Sequence, residues 1–267
     1  MTAQPRAIGT ALIQTKLRGT QTVLDDFRLS GSCRMLFPRR TDPVLEGVLL
    51  NTSGGVTGGD SFETRAVAGT DTHLTLTTQA AERAYRSIDA QPGRIRTHLT
   101  LQDGAQLNWL PQETILFDGA SIDRSLDIDI PSSARLLMVE PMIFGRTAMG
   151  ETIRNANVRD RITLRRDGQV TFADRIALDG DVQSHLDRPF IAGGARAMAA
   201  ILLAAPDAER HLPSMRACLP QSCGVSLIRD GLLFARLLAE DGHALRQILI
   251  PALRILRGGD LPRTWML

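Results

Sequence analysis

The segment His73–Thr78, with the sequence HLTLTT, shows most clearly what kind of fold the chain adopts. Its leucines, Leu74 and Leu76, alternate with Thr75 and Thr77, which is the period-two pattern of a β-strand. Leucine is apolar, and threonine is a polar residue that is common in strands. The segment therefore predicts a strand with one buried face and one polar face.

Similar segments extend across the first two thirds of the chain, rich in Leu, Ile, Val and Thr and separated by Gly, Asp, Asn and Pro. This punctuation is typical of successive strands. Residues 94–101 and 105–110 flank the turn pair Asp103-Gly104, which predicts a β-hairpin. Asp167-Gly168 predicts a second hairpin in the same way. We therefore expect antiparallel sheets.

The last third of the chain alternates between strand and helix patterns. Residues 196–204 form an apolar run that favours a buried strand. Asp207 is placed to cap a helix that ends near Leu219. Residues 224–228 and 232–238 then predict another hairpin.

A longer helix is predicted near the end of the sequence. Apolar residues recur at helical spacing between Ala244 and Leu256. Pro251 should kink or break this helix, because proline lacks the amide hydrogen that the helix ladder needs. Gly258 and Gly259 form a plausible stop.

The composition is that of a globular protein with one core. The chain has 267 residues, of which 43% are hydrophobic, and no internal repeat or long linker is visible. We predict a single domain over residues 1–267, with a β body at about 18–190 and an α+β C-terminal portion at about 191–267. The expected fold class is mainly β with antiparallel sheets and a few helices.

The charge balance and the cysteines indicate where the protein works. The 31 basic residues are interleaved with 29 acidic residues, so the sequence shows no electrostatic footprint for nucleic acid. Three cysteines are too few for a disulfide framework and suit a reducing cytosol. No segment approaches the ~20 apolar residues that a membrane span needs, and the N-terminal stretch lacks the apolar core of a signal peptide. We expect a soluble cytoplasmic protein with no nucleic-acid or membrane partner.

The most conspicuous local motif is NTSGGVTGGD, residues 51–60. Paired glycines can cradle a phosphate, but the Walker motif ends in Gly-Lys-Ser/Thr, and the only lysine in the chain is Lys16. The spacing also fails the G-x-G-x-x-G dinucleotide fingerprint. The segment therefore predicts a tight turn whose glycines adopt positive φ.

No motif for catalysis or for a preformed metal site is apparent. The histidines are scattered, Cys218 and Cys223 lack a second cysteine pair, and G-x-S-x-G is absent. Two alternatives stay open at this point. The first is a β-rich hydrolase that uses a carboxylate pair such as Glu140 and Glu151. The second is a structural β protein that binds another chain by edge pairing.

Five segments, in this order along nearly the whole chain, resemble the UreD (also called UreH) family of urease accessory proteins. They are GGVTGGD at 54–60, LTTQAAERAYRS at 76–87, WLPQETILFDGA at 109–120, EPMIFGRTAMGE at 140–151 and LPRTW at 261–265. The resemblance implies a mostly β fold with a few C-terminal helices and no catalytic activity.

The resemblance also implies partners and a role. Proteins of this family are scaffolds that bind apo-urease and UreF, through which the GTPase UreG joins. The complex inserts nickel into the urease active site, and GTP hydrolysis belongs to UreG. The resemblance thus implies a urease maturation factor with no tightly bound cofactor and only transient contact with nickel.

An internal wet passage for nickel is a further property that the resemblance implies. Four carboxylates embedded in glycine-rich or apolar surroundings would then contact the ion transiently. They are Asp60, Asp118, Glu140 and Glu151.

Overall fold

A computed structural model of the protein describes residues 5–88, 91–146 and 149–266. The strands in chain order are β1 (Ile8–Arg18), β2 (Gln21–Gly31), β3 (Cys33–Leu36), β4 (Leu45–Asn51), β5 (Ser61–Ala68), β6 (His73–Thr78), β7 (Glu82–Ala84), β8 (Gly93–Leu101), β9 (Gln106–Leu110), β10 (Thr114–Leu116), β11 (Ser121–Ile130), β12 (Arg135–Phe144), β13 (Ala156–Arg166), β14 (Gln169–Gly180), β15 (Ala197–Ala204), β16 (Gly224–Arg229) and β17 (Leu232–Ala239). The α-helices are α1 (Val182–Leu186), α2 (Leu212–Cys218) and α3 (Gly242–Arg257), and short 3₁₀ helices lie at Ala208–His211 and Arg263–Met266. The predicted mainly β class with a few helices is confirmed.

The strands form two sheets that face each other. The first sheet has the order β14-β13-β11-β8-β5-β1-β2, and the second has the order β16-β17-β15-β12-β9-β6-β4-β3. The central strands of the first sheet, from β1 to β13, are parallel, and β2 and β14 pair antiparallel at its two edges. In the second sheet β4, β6, β9 and β12 are parallel, whereas β3, β15, β16 and β17 pair antiparallel.

Both sheets contain parallel and antiparallel strand pairs because the chain winds as a solenoid in its first two thirds. Successive strands alternate between the sheets, so that β5, β8, β11 and β13 lie in the first sheet and β4, β6, β9 and β12 lie in the second. Each coil enters a sheet in the same direction as the coil before it, and neighbouring strands therefore run parallel. The expectation of purely antiparallel sheets is corrected accordingly.

The predicted hairpin at Asp103-Gly104 is wrong for the same reason. Residues 94–101 belong to β8 in the first sheet, and residues 105–110 lead into β9 in the second. The pair does form a tight turn, with Gly104 at φ +67°. This turn stacks on the previous coil, because the Asp71 amide donates to the Asp103 carbonyl at 3.0 Å. Asp-Gly here marks a corner of the solenoid instead of a hairpin.

The other predicted hairpins are confirmed. At Asp167-Gly168 both residues have positive φ, and β13 pairs antiparallel with β14. β16 pairs antiparallel with β17, and the apolar run at 196–204 forms the strand β15.

The predicted helix cap at Asp207 is wrong. Asp207 precedes a 3₁₀ turn and α2, but its side chain makes no capping bond and instead accepts from Arg135 Nη1 at 2.7 Å.

The segment HLTLTT forms strand β6 with both faces buried. Leu74 and Leu76 face the core between the sheets. Thr75 and Thr77 are also fully buried, because the C-terminal portion covers the outer face of the second sheet. Thr77 Oγ1, for example, lies 3.1 Å from Thr264 Oγ1. The predicted polar, open face is therefore wrong, since a distant part of the chain covers it.

Helix α3 covers this outer face with apolar side chains. Leu245, Leu249 and Leu253 are buried against the second sheet. Asp241 caps the first turn by accepting from the Ala244 amide at 2.8 Å, and Gly258 ends the helix at φ +72°, as predicted. Pro251 lies on the exposed side of the helix, and the helix continues past it to Arg257, so the predicted break does not occur.

Candidate functional site

A cavity of about 250 Å³ lies between the two sheets of the solenoid. It is bounded by inward side chains of both sheets and by the turns that follow β4, β6 and β9. A space of this size holds several waters. Its polar lining consists of Asn51, Thr64, Thr78, Gln79, Glu82, Arg83, Thr97, Gln112, Thr114, Arg124, Ser125 and Glu140, with Cys33 among the remaining residues.

Of the four carboxylates predicted to contact nickel, Glu140 lines this cavity and the other three do not. Its Oε1 accepts from Trp109 Nε1 at 2.7 Å, and its Oε2 lies 2.7 Å from Arg124 Nη1. Arg124 also donates to both oxygens of Asp160, at 2.9 and 2.7 Å. Glu140 belongs to the second sheet, whereas Arg124 and Asp160 belong to the first. The ion pairs therefore join the two sheets across the cavity.

This triad is almost fully buried, so its electrostatics depend on desolvation. Burial raises the pKa of Glu140, and the positive charge of Arg124 opposes that rise. Burial alone would lower the pKa of Arg124, but the charges of Asp160 and Glu140 outweigh it and raise that pKa. Two carboxylates therefore share one guanidinium at the wall of the cavity.

The sequence reasoning missed Arg124 and Asp160, although a signal for both was present. Arg124 follows Ile122 and precedes Leu126 on the apolar face of β11. Asp160 occupies the equivalent inward position on β13, between Val158 and Ile162. A charged residue on the apolar face of a strand predicts a buried partner. The parallel register places these two opposite each other.

Glu82 is a second cavity carboxylate that the sequence reasoning did not single out. Both of its oxygens accept from Asn51 Nδ2 at 3.2 Å. Burial is the main cause of its raised pKa, and the hydrogen bond from Asn51 opposes it. Within the described residues Glu82 forms no ion pair, and the neighbouring Arg83 side chain is exposed at the cavity rim. Glu82 is thus a cavity carboxylate to which the described residues supply no ion-pair partner.

Asp60 is buried outside the lining of the cavity. Its Oδ1 accepts from the Ala7 amide and its Oδ2 from the Thr57 amide, each at 2.8 Å. It therefore ties the glycine-rich turn to Ala7, the residue before β1. That turn contains positive-φ glycines at Gly54, Gly55 and Gly59, as predicted.

Asp118 and Glu151 lie together, again outside the lining of the cavity. Asp118 Oδ1 accepts from the amides of Arg154 and Asn155 at 2.9 Å, and its Oδ2 pairs with Arg86. Glu151 pairs with Arg146 at 2.9 Å and accepts weakly from the Asp118 amide at 3.4 Å. The two carboxylates fix the course of neighbouring loops. Their contact with nickel stays a prediction.

The C-terminal segment closes the wall beside the cavity. Trp265 is buried, and its Nε1 donates to the Leu110 carbonyl at 3.0 Å. Arg246 of α3 donates to the Trp265 carbonyl and to Gln112 Oε1, each at 2.8 Å. Gln112 lines the cavity, so the LPRTW segment supports one of its walls.

Across residues 5–88, 91–146 and 149–266, no group of three or more His, Cys, Asp or Glu side chains is arranged to hold a metal ion. None of the helices described in these ranges is long and apolar enough to cross a membrane.

Comparisons with known proteins show the family to which the chain belongs. The family model for the UreD urease accessory protein matches residues 8–266. The chain is 50% identical to the urease accessory protein UreD of Ruegeria pomeroyi, over 95% of this chain and 98% of that protein. It is 47% identical to the protein of the same name from Roseobacter denitrificans, over 99% and 96% of the two chains. The chain therefore belongs to the UreD family of urease accessory proteins.

Proposed function

We propose that this protein is a urease maturation factor whose inter-sheet cavity conducts nickel toward apo-urease. In this account it is a non-catalytic scaffold in the cytoplasm. It binds apo-urease and UreF, and the GTPase UreG joins through UreF and hydrolyses the GTP. Family membership supports the role in urease maturation.

The observation that carries the nickel route is a cavity lined by the carboxylates of Glu82 and Glu140, of which Glu82 has no ion-pair partner among the described residues. Glu82 has an amide as its partner, and Glu140 shares Arg124 with Asp160. A buried carboxylate is costly unless it is protonated or paired with a cation. A hydrated divalent cation would relieve this cost, and water and carboxylate oxygens can bind it weakly enough to release it.

Of the four carboxylates predicted to contact nickel, one is kept in this proposal and three are assigned a structural role. Glu140 faces the cavity and is retained as a nickel contact, and Glu82 joins it. Asp60, Asp118 and Glu151 already accept backbone hydrogen bonds, which supports a structural role for them.

A carboxylate-pair hydrolase is the competing function, and no observation favours it. Glu140 is held by Trp109 and Arg124 inside the cavity. Glu151 pairs with Arg146 and is not part of the cavity lining. The two carboxylates have no bonding partner in common, so nothing in their surroundings points to a shared substrate.

The cavity route is tested by replacing Glu82 and Glu140 with glutamine in cells that express the matching urease operon. The substitution keeps the shape of each side chain and removes its charge. We expect urease that is several-fold poorer in nickel and correspondingly less active, while total urease and its co-purification with this protein stay unchanged.

The matched control is Glu63→Gln. Glu63 is a half-exposed residue of β5 that pairs with Arg65 outside the cavity. The Glu63→Gln substitution should leave the nickel content of urease unchanged. Full nickel loading in both Glu82→Gln and Glu140→Gln would rule out the cavity as the route.

A further inference from the structure

A thiol lies beside a carboxylate on one wall of the cavity. Cys33 of β3 is directly opposite Asn51 of β4 in an antiparallel pair, so both side chains point to the same face of the sheet. Side chains in such a pair have Cβ atoms about 5 Å apart. Asn51 in turn holds both oxygens of Glu82 at 3.2 Å. Cys33 and Glu82 therefore share one neighbour and one stretch of the lining.

The position of the thiol is fixed by close packing. A Cβ built on Gly9 would lie only 2.6 Å from Cys33 Sγ and 2.9 Å from the Phe62 ring. The absence of a side chain at Gly9 thus makes room for the sulfur. Cys33 is one of three free cysteines, and it is the one that lines the cavity.

The same cavity contains a polar group that lacks a partner. Gln112 is 6% exposed, and its Nε2 atom has no hydrogen-bond partner within the described residues. Its Oε1 is already occupied by Arg246. A buried amide nitrogen without a partner is a group that a water or a hydrated solute can satisfy.

We propose that Cys33 and Glu82 form a two-ligand site for thiophilic divalent cations such as Cd²⁺, and that an ion bound there obstructs nickel. The obstruction rests on the proposed function, whereas the binding site does not. On binding, the Cys33 S–H bond breaks, a sulfur–cadmium bond forms, and the proton passes to solvent. No electron is transferred.

Ligand chemistry explains why this ion would stay where nickel passes. Thiolate is a soft ligand and selects soft cations, whereas a carboxylate and water discriminate little between divalent ions. One thiolate and one carboxylate, completed by water, give a site that harder ions leave readily. A soft ion is retained by its bond to sulfur.

Binding is tested by titrating the purified full-length protein with Cd²⁺ and recording the ultraviolet charge-transfer band of a cadmium–thiolate bond. We expect the band in the wild type and its loss in Cys33→Ser. The matched controls are Cys218→Ser and Cys223→Ser, because both residues are half-buried in the C-terminal portion away from the cavity. They should keep the band. Absence of the band in the wild type, or its persistence in Cys33→Ser, overturns the proposal.

A second measurement needs no variant. Cd²⁺ should protect Cys33 from alkylation by iodoacetamide, as read by mass spectrometry, and should leave the alkylation of Cys218 and Cys223 unchanged. Equal alkylation of Cys33 with and without Cd²⁺ contradicts the proposal.

The two proposals fail in distinguishable ways. In a urease activation assay, Cd²⁺ should inhibit nickel loading by the wild type more strongly than loading by Cys33→Ser. If Cd²⁺ binds Cys33 but both proteins load nickel equally well in its presence, the cation site stands and the nickel route through this cavity falls.

Discussion

Arg124 links the two sheets at the wall of the cavity. It satisfies Glu140 on one sheet and Asp160 on the other, and all three side chains are buried. Removing the guanidinium leaves two carboxylates buried without a cation. A buried ion pair broken on one side costs about 3–5 kcal/mol.

We therefore predict that Arg124→Met lowers the free energy of unfolding by about 3–5 kcal/mol, measured by urea denaturation. The control is Arg161→Met, because Arg161 pairs with Asp123 at a half-exposed site. Exposed pairs contribute about 0–1 kcal/mol. Similar small losses in both variants would show that the triad does not hold the sheets together.

The candidate site was only partly predictable at this scale. Carboxylates in glycine-rich surroundings suggested metal contacts, yet Asp60 and Asp118 accept backbone amides, which is what irregular turns require. Glu82 and Cys33 were overlooked because each is unremarkable in its own segment. They become neighbours through the pairing of β3 with β4 and through Asn51, and these contacts are not visible in a linear pattern.

At the scale of elements, the sequence predicted strands better than it predicted how the strands pair. Alternation and turn residues located β6, β13, β14, β16 and β17. An Asp-Gly pair forms a hairpin turn at 167–168 and a corner of the solenoid at 103–104, because both need a tight turn with positive φ. Long-range packing decides between the two outcomes, and no local pattern records it.

The glycine-rich turn between β4 and β5 gives a test at this scale. Gly54 and Gly55 both have positive φ, at +82° and +156°. A Cβ on Gly54 would meet no atom within 4 Å, whereas one on Gly55 would lie 2.4 Å from the Tyr85 ring and 2.6 Å from the Arg83 carbonyl. An alanine at Gly54 therefore introduces backbone strain alone, whereas an alanine at Gly55 adds steric overlap to the strain.

We predict that Gly54→Ala costs about 1 kcal/mol through backbone strain. Gly55→Ala should cost roughly 2–4 kcal/mol, because overlap adds about 1–3 kcal/mol to the strain. Thermal or urea unfolding of the two variants measures the difference. Equal losses would mean that the turn does not pack against β7 as described.

For the whole molecule, the arrangement of layers explains why a cavity exists. The two sheets of the solenoid share one core, while α2 and α3 cover the outer face of the second sheet and form another. A strand such as β6, buried on both faces, therefore supports the cavity on one side and the C-terminal layer on the other. The prediction that residues 1–267 fold as a single domain remains to be tested by unfolding.

The same arrangement relates the C-terminal segment to the site. Trp265 and Arg246 connect the end of the chain to Gln112 and Leu110 beside the cavity. Sequence resemblance identified LPRTW as a family feature, but its role as a support of the cavity wall appears only in the fold.

The most direct test of the maturation role is the nickel content of urease purified from cells that express the matching urease operon with and without this gene. The account predicts that deletion leaves urease abundant, poor in nickel and inactive, and that the restored gene returns both nickel and activity. Urease with unchanged nickel content and activity in the deletion strain would contradict it.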